Sequence, residues 1–228
     1  MVINKLSIII PVFNEIGTLG QVLELVEKVN LSPKKEVIIV DDCSTDGSRE
    51  FIERLEGHKY KVLFNKRNVG KGASIISALN IVSGDYVIFQ DADLEYDPND
   101  YGQMVEEVIK NDAEVVFGSR YLKATFKTKY YLAGRILTFL VNFLFGGNLT
   151  DMNGCYKLIK TDLVKSFALK EKRFTFYEEL TVKLLKEDIK IFEVPVSYKP
   201  RKRSEGKKIR FKDGVMAIFF LLSCKSKK

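Results

Sequence analysis

Five short apolar runs in the first 120 residues, separated by segments of helical spacing, constrain this chain more than any other feature. The runs are "LSIIIPVF", "EVIIVDD", "YKVLFN", "DYVIFQDAD" and "AEVVFGSR". The first reads as a buried strand by its β-branched run and the others as further strands, their apolar runs continuous as in a mainly parallel sheet. Between them, "IGTLGQVLELVEKVN", "STDGSREFIERLEG", "NVGKGASIISALNIVSG" and "DPNDYGQMVEEVIKND" place apolar residues at helical intervals. Ser44 or Thr45 is expected to cap the second helix, and Pro98 stands near the start of the fourth. Strand–helix alternation predicts an α/β fold: a mainly parallel sheet with helices on both faces.

The pattern changes after Arg120. Residues 130–146, "YYLAGRILTFLVNFLFG", keep a helical period, with Arg135, Thr138 and Asn142 as one narrow polar stripe in an otherwise apolar surface. A further helix is expected over "FTFYEELTVKLLKED", a strand over "IKIFEVPVSYKP", and an apolar closing stretch from "GVMAIFFLLSCKSKK". With no repeat or linker in view, residues 1–228 read as one domain with an amphipathic C-terminal third, in which 199–228 forms a basic loop and an apolar helix. The first apolar run ends at Pro11, which reads as a strand and not a leader. No stretch reaches the roughly 20 apolar residues of a membrane-spanning helix.

Charge narrows the function. The net charge is +7, and residues 199–212 hold eight basic residues against Glu205 alone, a local surplus equal to that of the whole chain. A confined basic segment suits a phosphate or a membrane surface better than a nucleic acid, which asks for a broad basic face and a stacking platform. Three dispersed cysteines, Cys43, Cys155 and Cys224, make no metal-thiolate pair. The single histidine, His58, lies in a polar stretch, so histidine catalysis is excluded.

Ligands of open parallel sheets bind beyond the carboxyl ends of the strands, and the acidic residues gather there. The first strand delivers "PVFNE", the second Asp41 and Asp42, and the fourth Asp91 and Asp93 in "FQDADLEYDP". Clustered carboxylates repel unless a cation holds them. Asp-x-Asp at a strand end offers hard oxygens to Mg²⁺ or Mn²⁺, which bridge protein carboxylates to substrate phosphates. Asp97 and Asp100, by contrast, read as helix-capping acids.

Taken in order, "SIIIPVFNE", "VIIVDDCSTDGS", "NVGKGAS", "DYVIFQDADLEYDP" and "VFGSR" resemble the family 2 glycosyltransferases with their GT-A, Rossmann-like nucleotide-sugar fold. "LTDMNGCYKLIK", "FYEELTVKLL" and "EVPVSYKPRKRSEGKKI" are similar to its polyprenyl-phosphate hexosyltransferase branch, which includes dolichyl-phosphate mannose synthase. The resemblance covers about residues 5–215. It implies that Pro11, Phe13, Glu15, Val40 and Asp42 line the nucleotide pocket, with Ala92 against the nucleotide. It implies Asp91 and Asp93 as metal ligands, with Glu95 where relatives often carry Gln. Arg120, Lys207 and Arg201 would contact phosphates, although "RKRSEGKK" departs from the relatives' usual R-x-x-G-E-S-K. Lys71 is a further candidate contact, with Gly70 and Gly72 permitting close packing of a helix start.

The implied activity is inverting, metal-dependent transfer of a hexose from a UDP- or GDP-sugar to a polyprenyl phosphate, dolichyl or undecaprenyl. The protein would be cytoplasmic and peripheral at the cytosolic membrane face, with a membrane-anchored partner or a homodimer as further associations. Asp93, Arg120 and Lys207 would serve the reaction. Glu179, in preference to Glu178, or Asp151 would supply a base if the acceptor were a hydroxyl on a glycan or protein. A non-catalytic nucleotide-sugar-binding module is a weaker alternative, because it has no need of Asp91 and Asp93. A sugar nucleotidyltransferase would carry a glycine-rich signature in place of "PVFNE".

Overall fold

The computed structural model describes residues 2–226 except 56, 58, 123–128, 202–205, 207, 209 and 210. His58 and Lys207 therefore lie outside the described residues. Strands β1 (Lys5–Val12), β2 (Lys34–Asp41), β3 (Tyr60–Phe64), β4 (Tyr86–Phe89) and β5 (Val115–Ser119) stand where the apolar runs placed them. Between them lie α1 (Ile16–Lys28), α2 (Ser48–Glu53), α3 (Lys71–Leu79) and α4 (Tyr101–Asn111), the last entered through a 3₁₀ turn over Pro98–Asp100. The remainder is α5 (Lys129–Phe145), β6 (Lys157–Lys160), α6 (Thr161–Ser166), α7 (Phe176–Lys186), β7 (Ile191–Pro195) and α8 (Phe211–Ser226).

The strands form one seven-stranded sheet in the order β3-β2-β1-β4-β6-β5-β7. Every pairing is parallel except those of β6, which runs against both β4 and β5. The chain builds outward from β1 through β2 to β3, then returns to place β4 on the other side of β1. That reversal opens a crevice at the carboxyl ends of β1, β2 and β4. Leu6, Ile8, Ile9 and Ile10 of β1, and all of Tyr86–Phe89, are buried, as expected of central strands covered on both faces.

Two local expectations need correction. Ser44 and Thr45 do not cap α2. Its N-cap is Gly47, at φ 97°, with no side-chain cap bond. Ser44 Oγ instead accepts from Asn14 N at 3.0 Å, and Thr45 N donates to Asn14 Oδ1 at 2.7 Å. These residues tie the ends of β1 and β2 together. The second correction is an addition, β6 with its short helix α6, inserted between β4 and β5 where the sequence pattern offers no separate strand signal.

The polar stripe of α5 is a packing device. Asn142 Nδ2 donates to Leu149 O at 2.8 Å and its Oδ1 accepts from Leu149 N at 3.0 Å, while Thr138 Oγ1 accepts from Met152 N at 3.1 Å. The helix thereby holds the loop that carries Asp151. Leu132, Ile136, Phe139 and Phe143 stay exposed on another face of α5, as do Met216, Phe219 and Leu222 on the adjoining α8.

Candidate active site

β1 and β2 end side by side, with Pro11 opposite Val40 and Val12 opposite Asp41. Beyond them the chain turns sharply: Asn14 sits at φ 52°, and Glu15 follows at the head of α1. Thr18 Oγ1 donates to Ala92 O at 2.8 Å, which fastens α1 to the end of β4. Pro11, Phe13, Glu15, Val40 and Ala92 thus share one end of the sheet with Asp91 and Asp93.

The acids of β2 are committed to architecture. Asp41 is fully buried and accepts from Ser44 N at 3.1 Å and Arg49 NH1 at 3.1 Å. Asp42 accepts from Asn65 Nδ2 and Val69 N, both at 2.9 Å, and from Gly70 N at 2.8 Å. Asp42 therefore shapes the turn that launches α3. Gly70 lies at φ 99°, and a Cβ there would sit 2.5 Å from Lys172 O. A Cβ on Gly72 would overlap the Glu171 carbonyl and come within 2.7 Å of Phe176 Cβ. These glycines let α3 close against the entry to α7, and the same turn aims Lys71 into the crevice. Its ammonium bonds Asp91 and lies 4.9 Å over the Tyr177 ring.

Below the Asp-x-Asp pair, Gln90 forms a buried floor. Its Oε1 accepts from Tyr101 OH at 2.5 Å and Tyr156 OH at 2.7 Å. Above it, Asp93 Oδ1 accepts from Glu95 N at 3.0 Å and Oδ2 meets Arg201 NH2 at 2.5 Å. Arg201 NH1 also bonds Glu15 Oε2 at 3.0 Å, and its main-chain N donates to Glu95 Oε1 at 2.7 Å. Lys208 reaches Glu15 Oε1 at 2.6 Å. The 198–201 stretch is held to the same place by Tyr198 OH, which donates to Glu95 Oε2 at 2.9 Å, and by Lys199 N, which donates to Glu95 O at 2.8 Å. Glu15, Asp91, Asp93, Glu95, Lys71 and Arg201 are brought together in one polar crevice.

Burial, and then the charges of Asp91 and Glu95, push the Asp93 carboxyl up to about 7 despite Arg201. The crevice concentrates more negative charge than it can solvate. That donor set of hard carboxylate oxygens fits Mg²⁺ or Mn²⁺. Among the described residues no three such groups are already arranged around a common ion position. Lys71 pairs with Asp91 and Arg201 with Asp93.

Arg120 occupies a neighbouring compartment. Asp151 grips it in a two-point bond, Nε to Oδ2 at 2.7 Å and NH2 to Oδ1 at 2.8 Å, and its guanidinium lies 5.0 Å from the Tyr198 ring. This clamp fixes the Arg120 plane and takes up the Asp151 carboxylate, which counts against Asp151 as a base.

The two acids of "YEEL" differ sharply. Glu179 Oε2 accepts from Lys170 N at 2.8 Å and Glu171 N at 2.7 Å, and Lys183 stands 3.5 Å from Oε1. It anchors the loop before α7, which counts against the base expected of it. Glu178 is also buried; its Oε1 accepts from Asn153 Nδ2 at 3.0 Å, while Oε2 has no hydrogen-bond partner among the described residues. Burial pushes the Glu178 carboxyl up to about 7. Nearby, the fully buried Lys157 donates to Met152 O at 2.7 Å and lies 3.6 Å over the Phe117 ring; burial brings its ammonium down to about 8. Neither Lys157 nor Asn153 stood out in the sequence, because their roles follow from the antiparallel insertion of β6.

Residues 7–167 match the model of glycosyl transferase family 2. The chain belongs to that family. The glycosyltransferase is 28% identical over 211 residues to a dolichol-phosphate mannosyltransferase of Pyrococcus furiosus, an alignment covering 89% of this chain and 59% of the relative. It thus spans about three fifths of that protein's length. It is 27% identical to an undecaprenyl-phosphate 4-deoxy-4-formamido-L-arabinose transferase of Photorhabdus laumondii, over 97% of this chain and 68% of the relative. In fold it is similar to glucosyl-3-phosphoglycerate synthase of Mycobacterium tuberculosis, solved with Mn²⁺, UDP and phosphoglyceric acid. The TM-score is 0.74 at 18% identity, over 97% of this chain and 78% of that one. The expected GT-A architecture is therefore the observed one.

Proposed function

We propose that the enzyme transfers a hexose, with inversion, from a UDP- or GDP-sugar to a polyprenyl phosphate, dolichyl or undecaprenyl, at the cytosolic face of a membrane. The observation that carries this reading is the convergence of Glu15, Asp91, Asp93 and Glu95 with Arg201 and Lys71 at the carboxyl ends of β1 and β4. That set suits a diphosphate accompanied by a divalent cation, and the similarity to polyprenyl-phosphate sugar transferases supplies the acceptor class.

Asp91 and Asp93, with Glu95 beside them, would hold Mg²⁺ or Mn²⁺, which when bound supplies charge neutralisation for the departing diphosphate. Pro11, Phe13, Val40 and Ala92 would line the nucleotide pocket, while Asp42 holds the turn beside it. Arg201, Lys71 and Lys207 provide positive charge for phosphate oxygens. Arg120, fixed by Asp151, presents a guanidinium whose orientation is set before the substrates arrive. The acceptor phosphate oxygen forms the new bond to the anomeric carbon as the bond to the diphosphate oxygen breaks, and the electron pair leaves with the nucleoside diphosphate. A phosphate monoester is already anionic near neutral pH, so this chemistry asks for no general base.

The exposed apolar faces of α5 and α8 support a membrane surface as the place of reaction. Phe139 and Phe143 stack at 6.3 Å and are 69% and 75% exposed, while Phe219 is 69% exposed. Lys212 and Lys225 lie exposed near the two ends of α8. Apolar side chains flanked by lysines fit an interfacial helix on an anionic leaflet. Among the described residues no helix is long and apolar enough to cross a membrane.

The test is product formation from a panel of radiolabelled UDP- and GDP-sugars with Mn²⁺ or Mg²⁺ and a short polyprenyl phosphate. Organic-phase label that disappears in Asp93→Asn supports the reading. A second reading, transfer to a hydroxyl, is favoured by one observation: Glu178 Oε2 is a buried carboxylate oxygen with no partner among the described residues. Metal-dependent release of nucleoside diphosphate with transfer of the sugar to a hydroxyl acceptor, lost in Glu178→Gln and without organic-phase label, would replace the lipid reading.

A further inference from the structure

We infer that Arg201 is an internal competitor for the divalent cation, so that the metal ion alone is held off and enters together with a nucleoside diphosphate. The inference rests on the reading above, that these carboxylates receive a cation and a diphosphate.

The geometry is specific. Arg201 NH2 lies 2.5 Å from Asp93 Oδ2 and 3.3 Å from Glu15 Oε1, and NH1 lies 3.0 Å from Glu15 Oε2. Nε stands 3.9 Å from Glu95 Oε1. One guanidinium therefore touches acids from the ends of both β1 and β4. Lys208 adds a second positive charge on Glu15, and Lys71 takes Asp91. The cations that neutralise the cluster come from the 199–212 basic segment and from the α3 turn, far from these acids in sequence. Arg201 is only 15% exposed at its side chain, so water screens its charge poorly.

A divalent ion placed on Asp93 and Glu95 would meet this guanidinium within a few ångströms, and like charges repel strongly where water is scarce. The carboxylates cannot serve both. Phosphate oxygens change the balance, because a guanidinium pairs with phosphate in the same two-point geometry it uses for carboxylate. A nucleoside diphosphate offers Arg201 an alternative partner and frees Asp93 for the metal. Linkage then requires that the metal ion and the nucleotide raise each other's affinity by one and the same factor.

The test measures Mn²⁺ binding to the full chain by the loss of the free-ion paramagnetic resonance signal, with and without UDP or GDP, against nucleotide alone. Wild type should take up Mn²⁺ weakly by itself and about tenfold or more tightly with the cognate diphosphate. Arg201→Met should bind Mn²⁺ alone about tenfold more tightly than wild type and lose most of the nucleotide dependence. Lys208→Met should shift Mn²⁺ binding the same way by less. Should Arg201→Met fail to fold, as judged by its melting profile, Lys208→Met decides. Folded variants that bind Mn²⁺ no more tightly than wild type, while wild type still takes Mn²⁺ with the diphosphate, overturn the competition. If wild type takes up no Mn²⁺ even with either diphosphate, the metal-ligand reading itself falls, and the competition with it.

Discussion

Asp42 makes its contribution as a three-fold acceptor for the chain around it. Replacing it by Ala strands the N–H groups of Val69 and Gly70, in half-buried and buried places, and leaves the Asn65 amide with Ser74 Oγ at 3.1 Å. An unsatisfied buried donor costs about 1–3 kcal/mol, so Asp42→Ala should lose about 2–4 kcal/mol in denaturant titration. Donor binding should weaken with it, because the same turn aims Lys71. Glu178 is the converse case. Its carboxyl is raised to about 7 by burial, whereas an unfolded glutamate ionises near 4.5. Between those values the folded state holds the proton and the unfolded state releases it, so stability falls as pH rises through that window. Glu178→Gln should flatten this slope, giving a higher melting temperature than wild type at pH 8 and little difference at pH 4. Equal melting temperatures at both values would show that the buried carboxylate carries no ionisation penalty. Glu36 adds a slope of the opposite sign. Burial opposes its charge, but Lys61, the Ser7 and Ser83 hydroxyls and Ser83 N–H outweigh it and hold the carboxyl near 2. Its contribution is present above the ordinary carboxylate value and is lost as pH falls toward 2. Glu36 is unchanged in Glu178→Gln, so its slope is common to both proteins and cancels in the comparison.

At the scale of elements, the contact between α3 and the entry to α7 positions Lys71. Gly72→Ala would drive a methyl group into the Glu171 carbonyl and the Phe176 side chain. Backbone and a buried aromatic ring cannot both retreat cheaply, and overpacking of this kind costs about 1–3 kcal/mol. The variant should melt earlier and bind the donor sugar more weakly, whereas Gly102→Ala, with open space at its Cβ, should do neither. This tight contact was legible in "NVGKGAS" because two glycines flanking a lysine at a helix start have few other reasons to be there. The strands β1, β2, β4 and β5 were legible for a similar reason: a short continuous apolar run fits a strand covered on both faces, whereas β3 is an edge strand of the sheet and is only partly buried. β6 was not legible. Its four residues are too few for a period, and what makes them a strand is a non-local pairing with β4 and β5. Missing β6 also hid the buried Lys157 at its first position. The difference in surroundings between Glu178 and Glu179 was hidden for a related cause. Adjacent helical residues point about 100° apart, and only the packing of the 170–171 loop shows that Glu179 is the one already engaged.

For the whole molecule, the proposed function asks how a polar crevice and an apolar surface would serve one reaction. The 199–212 segment joins them: Arg201 and Lys208 reach the acids of β1 and β4, and the chain then enters α8, whose outer face is apolar. α8 in turn packs on α5. A lipid phosphate resting at that surface would have its anionic head near the basic segment and its chain along Phe139, Phe143 and Phe219. If the faces serve a bilayer, two terms hold the protein there. Each lysine or arginine near an anionic leaflet contributes about 1 kcal/mol and is screened by salt. The apolar side chains contribute about 25 cal/mol per Å² removed from water and are not. Wild type should therefore float with anionic vesicles at low salt and be retained in part as salt is raised. Phe139→Glu combined with Phe219→Glu should abolish the salt-resistant fraction while leaving Mn²⁺ and nucleotide binding unchanged, since neither residue touches the crevice. If the double variant floats like wild type, the apolar faces do not meet the bilayer. Light scattering then tests the remaining occupant, a second copy of the chain, which the same two charges should drive apart.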